Sequence, residues 1–274
     1  WIGHEVARAA RDVSEALDAY RFNDAAGAIY RFVWNVYCDW YLELAKPVLT
    51  GADGDAKNET RAMVALVRDE IVKLLHPFMP FITEELWHVT AEGGAPRSSL
   101  LTLTSWPDHR NLDDETAEAE IGWIVDLVTA IRSLRAEMNI PPATLIALVL
   151  VGASDQTQDR VARWSDIIKR LARLSDISHA HTPPEGAVQL LVRGEVAALP
   201  LKGVIDVAAE RARLEKELAK VDGDIKRVDA KLGNADFVRK APEEVIEGER
   251  EKRDEAQARR AKIMEAFERL KSAS

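Results

Sequence analysis

The sequence has one cysteine, Cys38, in 274 residues. A lone thiol closes no internal disulfide and supplies no Cys-rich zinc site, and it suits a reducing compartment. No run of about 18 apolar residues occurs, so no membrane-spanning helix and no membrane partner are expected. The basic, apolar and cleavage regions of a secretory leader are also missing, and the expected setting is cytoplasmic. The sequence opens on Trp1 rather than Met, and we expect it to be a piece of a longer protein. Positive charge is in deficit: 37 Lys and Arg stand against 46 Asp and Glu, a formal net charge of −9. That balance disfavours a broad basic groove for nucleic acid. No Ser/His/Asp order, phosphate-cradling glycine loop or dinucleotide fingerprint occurs, so no catalytic residue is expected in this chain.

What is present is enough apolar material for a core, 47% of residues, and a 30% charged share that suits long solvated helices. The expected fold class is mainly α. A helical bundle covers residues 1–142, a small α/β unit 143–204, and an antiparallel two-helix coiled coil 205–274. In the bundle, an Ala-rich amphipathic pattern predicts a helix over about 4–20. A long second helix follows a cap at Asn23 or Asp24. It places Ala26, Tyr30, Val33, Tyr37, Trp40 and Leu44 on one face, with Pro47 near its end. Met63, Val67, Ile71 and Leu74 mark a third helix, closed at His76-Pro77. A fourth starts after Pro80 and runs past Trp87. Residues 93–97 read as a loop and 100–103 as a short extended piece. Ile121, Ile124, Val128, Ile131 and Met138 mark a fifth helix, capped by Asp113 or Asp114 and ending before Pro141-Pro142.

The period then changes. Residues 145–151 are a continuous apolar run of strand length, 159–174 read as a helix, and 177–181, 188–192 and 196–201 as strands, with a turn at Arg193-Gly194-Glu195. Further on, Leu214, Leu218, Val221, Ile225, Val228 and Leu232 repeat at four-three spacing, the seam of a coiled coil. Residues 233–241 interrupt it, and Pro242 suits the first turn of a second helix. The apolar positions of that helix are sparser (Val245, Ala256, Ile263, Phe267, Leu270), and Lys252, Arg259 and Arg260 fall near its seam. A short connection folds two helices back antiparallel. At ~1.5 Å per residue each arm is about 40 Å long. Residues 206–274 hold 17 basic and 17 acidic side chains, so the whole acidic excess lies before them.

Candidate chemistry is sparse. His179 and His181 are two residues apart with no third ligand placed beside them, so no metal site is expected. Glu84 and Glu85 point about a third of a turn apart, which suits capping or ion pairing rather than an acid/base dyad. Cys38, among aromatics, reads as a small core residue. Arg31, Asn35, Asp39 and Glu43 form an i, i+4 polar stripe opposite part of the aromatic face, and Arg132 and Arg135 lie one turn apart. Solvated ion pairing explains either set. Donors beside exposed aromatics also suit unstacked RNA bases.

Residues 22–49, FNDAAGAIYRFVWNVYCDWYLELAKPVL, resemble the anticodon-binding bundle of the valyl-tRNA synthetases, a class I family. So do residues 75–87, LHPFMPFITEELW, and 131–142, IRSLRAEMNIPP, which follow at the expected place. These motifs are shared more loosely with leucyl and isoleucyl relatives. Residues 199–206, LPLKGVID, lead into Glu210-Arg211-Ala212-Arg213-Leu214, and 231–242 read KLGNADFVRKAP. That order resembles the family's C-terminal coiled-coil arm and discriminates for the valyl branch. The isoleucyl type often ends in a Cys-rich zinc element, which one cysteine cannot supply. Trp1-Ile2-Gly3-His4 shares three letters with the class's His-Ile-Gly-His nucleotide signature. Its first His and preceding strand are missing and no Lys-Met-Ser-Lys-Ser follows, so the likeness reads as chance.

The resemblance implies the tRNA-binding C-terminal part of a ligase that joins valine to its tRNA with ATP and Mg. Catalytic and editing domains would lie upstream, leaving no cofactor in this part. The bundle would hold the anticodon arm through Arg31, Trp34, Asn35, Arg132 and Arg135. The coiled coil would rest on the tRNA elbow, where Arg211, Arg213, Lys216, Arg227, Lys231, Arg239 and Lys240 could meet phosphates. Trp40 is expected in the core, and Pro77, Phe78, Pro80 and Phe81 at a helix–helix turn. A monomer is expected. The rival is an interaction module that dimerises through the 214–232 seam and has no RNA role.

Overall fold

A computed structural model of the chain describes residues 1–91, 96–204 and 206–272. The fold is mainly α with one four-stranded sheet, as the patterning predicts. The chain divides into two compact units, Trp1–Val125 and Asp126–Ser274. Among the described residues, no helix is long and apolar enough to cross a membrane.

The first unit is built from α1 (Ile2–Asp18), α2 (Phe22–Arg31), a π-helical stretch (Phe32–Tyr41), α3 (Leu42–Thr50), α4 (Asp55–Leu75), α5 (Pro80–Val89) and the start of α6 (Glu115–Glu137). α1 buries Ile2, Val6, Ala9, Ala10, Val13 and Ala16, a stripe at three-four spacing whose alanines let a neighbouring backbone approach closely. Ala25, Ala28, Ile29 and Phe32 meet this stripe together with Val67, Ile71 and Leu74, forming one core.

The second predicted helix exists but differs in detail. It begins at Phe22 after Arg21 with no side-chain cap, so neither Asn23 nor Asp24 caps it; Asp24 instead pairs with Arg21 at 3.2 Å. Its core face is Ala25, Ala28, Ile29 and Phe32, leaving Ala26 and Tyr30 exposed. This helix is apolar on more than one side, and the face that joins the core carries Ala25, Ala28, Ile29 and Phe32 rather than Tyr30 and Trp34. Beyond Arg31 the helix widens to i→i+5 bonding, which changes the angular step between residues. A spacing argument based on the α period therefore drifts along it. Pro47 does lie near the end of the helix, which closes at Thr50.

Elsewhere the predictions hold more closely. α4 stops before His76, and Pro80 occupies the first turn of α5, where its missing N–H costs nothing. Asp114 caps α6 by accepting the Ala117 N–H at 2.9 Å. Residues 100–103 are not extended: Leu101–Leu103 form a 3₁₀ turn. Glu84 explains this turn, since its carboxylate accepts the N–H groups of Leu101 at 2.8 Å and Thr102 at 3.4 Å. Most of the predicted 93–97 loop lies outside the described residues. Arg97, at its end, binds both oxygens of Asp69 at 2.7 and 3.0 Å and stacks 3.6 Å over the Trp87 ring.

In the second unit, α6 contributes the buried Leu127, Val128, Ile131 and Leu134. The sheet has the order β2-β1-β4-β3, with strands β1 (Ile146–Val151), β2 (Leu174–Ala180), β3 (Ala187–Val192) and β4 (Glu195–Pro200). β1 and β2 are parallel and joined through α7 (Asp155–Ala172), while β4 is antiparallel to both β1 and β3. α7 starts four residues earlier than its periodicity suggests, because the Ser154 hydroxyl accepts the Thr157 N–H. Arg193 (φ 44°) and Gly194 (φ 88°) make the two-residue turn between β3 and β4. Two positive φ values match the twist of the paired strands.

After residue 205, which lies outside the described residues, come α8 (Val207–Leu232), α9 (Ala235–Lys240) and α10 (Glu243–Ser272). α9 sits inside the interruption that the heptad pattern left without structure. α8 and α10 run antiparallel: Glu217 pairs with Arg259 at 2.6 Å, Asp222 with Arg260 at 2.8 Å, and Lys231 with Glu249 at 3.2 Å. Leu214 and Val221 of the predicted seam are buried, and Leu218, Ile225, Val228 and Leu232 are half-buried. On α10, Ile263, Ala266 and Leu270 are buried but Val245 is exposed, and Glu249 takes a buried position instead. At the base of the hairpin, Arg213 donates to the Glu137 carbonyl at 3.3 Å and Arg269 pairs with the Glu137 carboxylate.

Candidate nucleic-acid interface

Tyr30 and Arg31 lie in the last turn of α2, and Trp34 and Asn35 in the first turn of the π-helical stretch. Tyr30 is 63% exposed and Trp34 51%. Their ring centroids are 6.3 Å apart at 51°. Both rings lie largely outside the core and present π faces to solvent, the surface on which nucleic-acid bases stack. Arg31 and Asn35 line a cleft of about 160 Å³ with Glu5, Arg8 and Asp12 of α1. The Arg31 guanidinium lies back over Gly27, where a Cβ would stand 3.1 Å from its Nη1. Burial raises the Glu5 carboxyl pKa, and Arg8 beside it acts in the opposite direction.

The remaining polar and reactive groups of this helix are quiet. Asp39 is exposed, and Glu43 pairs with Lys46. Burial, with Asp39 beside it, pushes the Cys38 thiol up, away from the thiolate. Burial also pushes Tyr41 up to about 12. Trp40 is half-buried rather than fully in the core.

Arg132 and Arg135 belong to the second unit. Arg135 is only 7% exposed. It donates to the carbonyls of Thr144 at 2.7 Å, Pro141 at 3.0 Å and Arg173 at 3.4 Å. Burial, and then the charge of Arg173, push its pKa down. A guanidinium clamping three carbonyls is not presented to a base, which corrects the expectation for this residue. Arg132 is exposed, and its Nε donates to the Leu171 carbonyl at 3.0 Å.

The arm candidates fare differently from one another. Arg213 is committed to the base of the hairpin: it binds Glu210 at 2.9 Å and Glu217 at 2.9 Å as well as the Glu137 carbonyl. Arg211 pairs with Glu215 at 3.2 Å, Arg227 with Asp224, and Lys231 with Glu249. Lys216, Arg239 and Lys240 are exposed, the last two closing α9 beside the exposed Val238. Between α8 and α10 lies a cleft of about 530 Å³ lined by apolar residues such as Val221 and Val228, by basic ones such as Arg227 and Lys252, and by the carboxylates of Asp224, Glu249 and Glu255. Each exposed ion pair is weak in water, about 0–1 kcal/mol, so a phosphate can replace the carboxylate partner at little cost.

Other expectations resolve simply. His179 and His181 are exposed, and among the described residues no group of three or more His, Cys, Asp or Glu could hold a metal ion. Phe78 packs on the first core and Pro80 starts α5, but Phe81 is 90% exposed and sets no turn. Tyr30 joins Trp34 on the exposed face, and Arg173 ends α7 with its carbonyl bonded to Arg135. Tyr30 could have been found as the i, i+4 partner of Trp34. Arg173 carried no periodic signal, because its position depends on the end of α7.

The comparisons agree across the chain. Residues 1–150 match the family model described as the anticodon-binding domain of tRNA ligase. Residues 206–271 match the one described as the valyl tRNA synthetase tRNA binding arm. The chain is 63% identical, over its whole length, to 32% of the valine–tRNA ligase of Bradyrhizobium diazoefficiens. It is 62% identical over its whole length to 31% of the enzyme from Nitrobacter winogradskyi. It is 50% identical over 99% of its length to 30% of the enzyme from Caulobacter vibrioides. It therefore spans about a third of the length of these curated relatives.

Proposed function

The chain belongs to the valine–tRNA ligases as their C-terminal region, and on that premise we propose that it binds a valine tRNA and positions it for chemistry performed elsewhere in the longer protein. The observation that carries this reading is the exposed Tyr30–Trp34 pair flanked by Arg31 and Asn35, within the segment that matches an anticodon-binding domain. A loop base splayed from its stack would lie on the rings, and the Arg31 guanidinium and Asn35 amide would bond its edge.

In this reading the parts are residues 1–142 for the anticodon arm, 143–204 as the connecting α/β unit and 205–274 for the tRNA elbow. On the arm, Lys216, Arg239, Lys240, Arg211 and Arg227 meet phosphates, Arg211 and Arg227 by exchanging a carboxylate for one, while Lys231 stays on the buried Glu249. Arg213 holds the arm's base. ATP and Mg serve the upstream catalytic domain, and the editing domain also lies upstream. The protein works in the cytoplasm as a monomer. Against the rival dimer, the seam residues Leu214 and Val221 are buried in a chain whose own α10 faces α8.

Filter binding at low salt tests the reading, comparing valine tRNA with an anticodon-altered form. Weaker binding of the altered form is expected. Equal affinity with a normal salt slope would overturn anticodon reading and leave only generic arm binding.

A further inference from the structure

A second exposed aromatic pair stands where α1 turns into α2. Tyr20 is 80% exposed and Phe22 56%, and their rings meet edge to face at 6.3 Å and 83°. α1 ends there in a double cap: the Tyr20 N–H donates to the Leu17 carbonyl at 2.9 Å, and the Arg21 N–H to the Ala16 carbonyl at 2.8 Å. Such a cap places one residue in the left-handed region, and glycine is the usual choice because it has no Cβ. Tyr20 fills that place at φ 57°. A tyrosine is disfavoured there, and a ring left in water regains little of the cost by burial. The packing of the bundle gives no reason for a ring at this position.

Phe22 lies on the same ridge as the Tyr30–Trp34 pair. Phe22, Ala26, Tyr30 and Trp34 follow one another at four-residue spacing, and all four are exposed. Residues spaced by four form one continuous row along a helix. At ~1.5 Å per residue, Phe22 and Tyr30 stand about 12 Å apart along the axis. That is roughly three to four stacked nucleotide steps of ~3.4 Å, so the two pairs cannot hold the same base. Between them the row is low, with Ala26 and, next to it, Gly27, over which the Arg31 guanidinium lies back. Arg21 and Asp24, flanking Phe22 in sequence, pair with each other at 3.2 Å and add no net charge. Flat rings separated by small residues, with little charge beside them, suit the faces of bases better than phosphates.

We propose that Tyr20 and Phe22 form a second stacking platform for the bound RNA loop, holding a different base from the one on Tyr30 and Trp34. This rests on the tRNA-binding reading and lengthens its site from one base to a short unstacked segment laid along α2, with Arg31 between the two platforms. Every base has a π face, so the second platform adds affinity without choosing a sequence.

The test titrates valine tRNA and its anticodon-altered form into the full chain at several salt concentrations, for wild type, Tyr20→Gly, Phe22→Leu, Phe22→Tyr and Trp34→Ala. Glycine suits the left-handed backbone, so Tyr20→Gly should keep its thermal unfolding midpoint while both tRNAs bind about 5-fold more weakly or worse. Phe22→Leu keeps apolar bulk but removes the π face, and it should weaken both tRNAs likewise. Phe22→Tyr should bind as wild type does. The log–log salt slope should stay unchanged throughout, because no phosphate contact is lost. Tyr20→Gly combined with Trp34→Ala should multiply the two single losses, as separated sites do. If Tyr20→Gly and Phe22→Leu bind as wild type while Trp34→Ala is weakened, the second platform is overturned and the first stands. A flattened slope in either variant shows that charge and not stacking was lost, and overturns it too. A combined loss no larger than the single ones overturns the separate base. If Tyr20→Gly unfolds early, the contrast between Phe22→Leu and Phe22→Tyr decides. A wild-type chain that binds no tRNA overturns the tRNA-binding reading itself, and the platform with it.

Discussion

Glu249 stands buried in the α8–α10 seam, with Lys252 Nζ 2.9 Å from its Oε1 and Lys231 Nζ 3.2 Å from its Oε2. An apolar side chain is the usual occupant of such a position. A charge there is tolerable because both of its oxygens are bonded, one of them across the hairpin. The sparse apolar seam of α10 is thus compensated by charge, here and at the Glu217–Arg259 pair.

The arm should accordingly loosen in acid. Lys252 and then Lys231 hold the Glu249 carboxyl below its ordinary 4.5, and Arg259 does the same for Glu217 against burial. A carboxyl lowered on folding stabilises the fold above its ordinary value and loses that contribution as the pH falls through its folded value. The protection of amides in α8 and α10, relative to their intrinsic exchange rate at each pH, should therefore fall as the pH drops below about 4.5. Glu249→Gln/Glu217→Gln should flatten that profile; an unchanged profile in the variant would show that other groups control it.

Removing the Arg135 clamp should destabilise the second unit. Arg135→Gln removes a buried guanidinium that ties together three carbonyls, at about 1–3 kcal/mol for the lost bonds. Arg135→Lys should rescue little, since an ammonium lacks the planar fork that reaches several acceptors. Denaturant unfolding measures both, and a Gln variant within about 0.5 kcal/mol of wild type would contradict the clamp.

Trp34→Ala should separate binding from stability. The ring is half exposed, so its loss should move the unfolding free energy by only about 0.5 kcal/mol. Loss of a stacked base should weaken tRNA binding by about 1–3 kcal/mol. Equal binding by the variant would remove Trp34 from the interface.

Ile263→Ala tests the arm's apolar anchor. Ile263 is buried on α10, as Leu214 is on α8. Truncation should cost about 2–5 kcal/mol by denaturant unfolding. A negligible effect would mean that the ion pairs alone hold the hairpin.

Much of the architecture was legible in local pattern. The α1 stripe, the apolar run of β1, the turn at Arg193-Gly194 and the heptads from Leu214 to Leu232 each declare themselves within a dozen or two residues. They do so because helical and strand periods repeat over a few residues and turn chemistry is local. The candidate site was less legible. Arg31, Trp34 and Asn35 stand on an exposed helix face, and Tyr30 joins them although the spacing groups it with the half-buried Val33 and Tyr37, since a helix apolar on several faces does not say which one a neighbour will cover. Arg132 and Arg135 look equivalent one turn apart, yet one is exposed and the other is enclosed by the 141–144 turn.

Local pattern alone carries the mainly α class, the switch to α/β after Pro142, the coiled-coil seam and the family resemblance. Packing between distant segments sets which face of the 22–50 helix is covered, that Arg135 is a clamp, that Glu249 belongs in a seam, and that Arg132, Arg135 and Arg173 line one cavity. The reason is physical. Periodicity and turn chemistry are set between neighbours along the chain, whereas burial and charge pairing depend on residues as far apart as Lys231 and Glu249, which only folding brings to 3.2 Å.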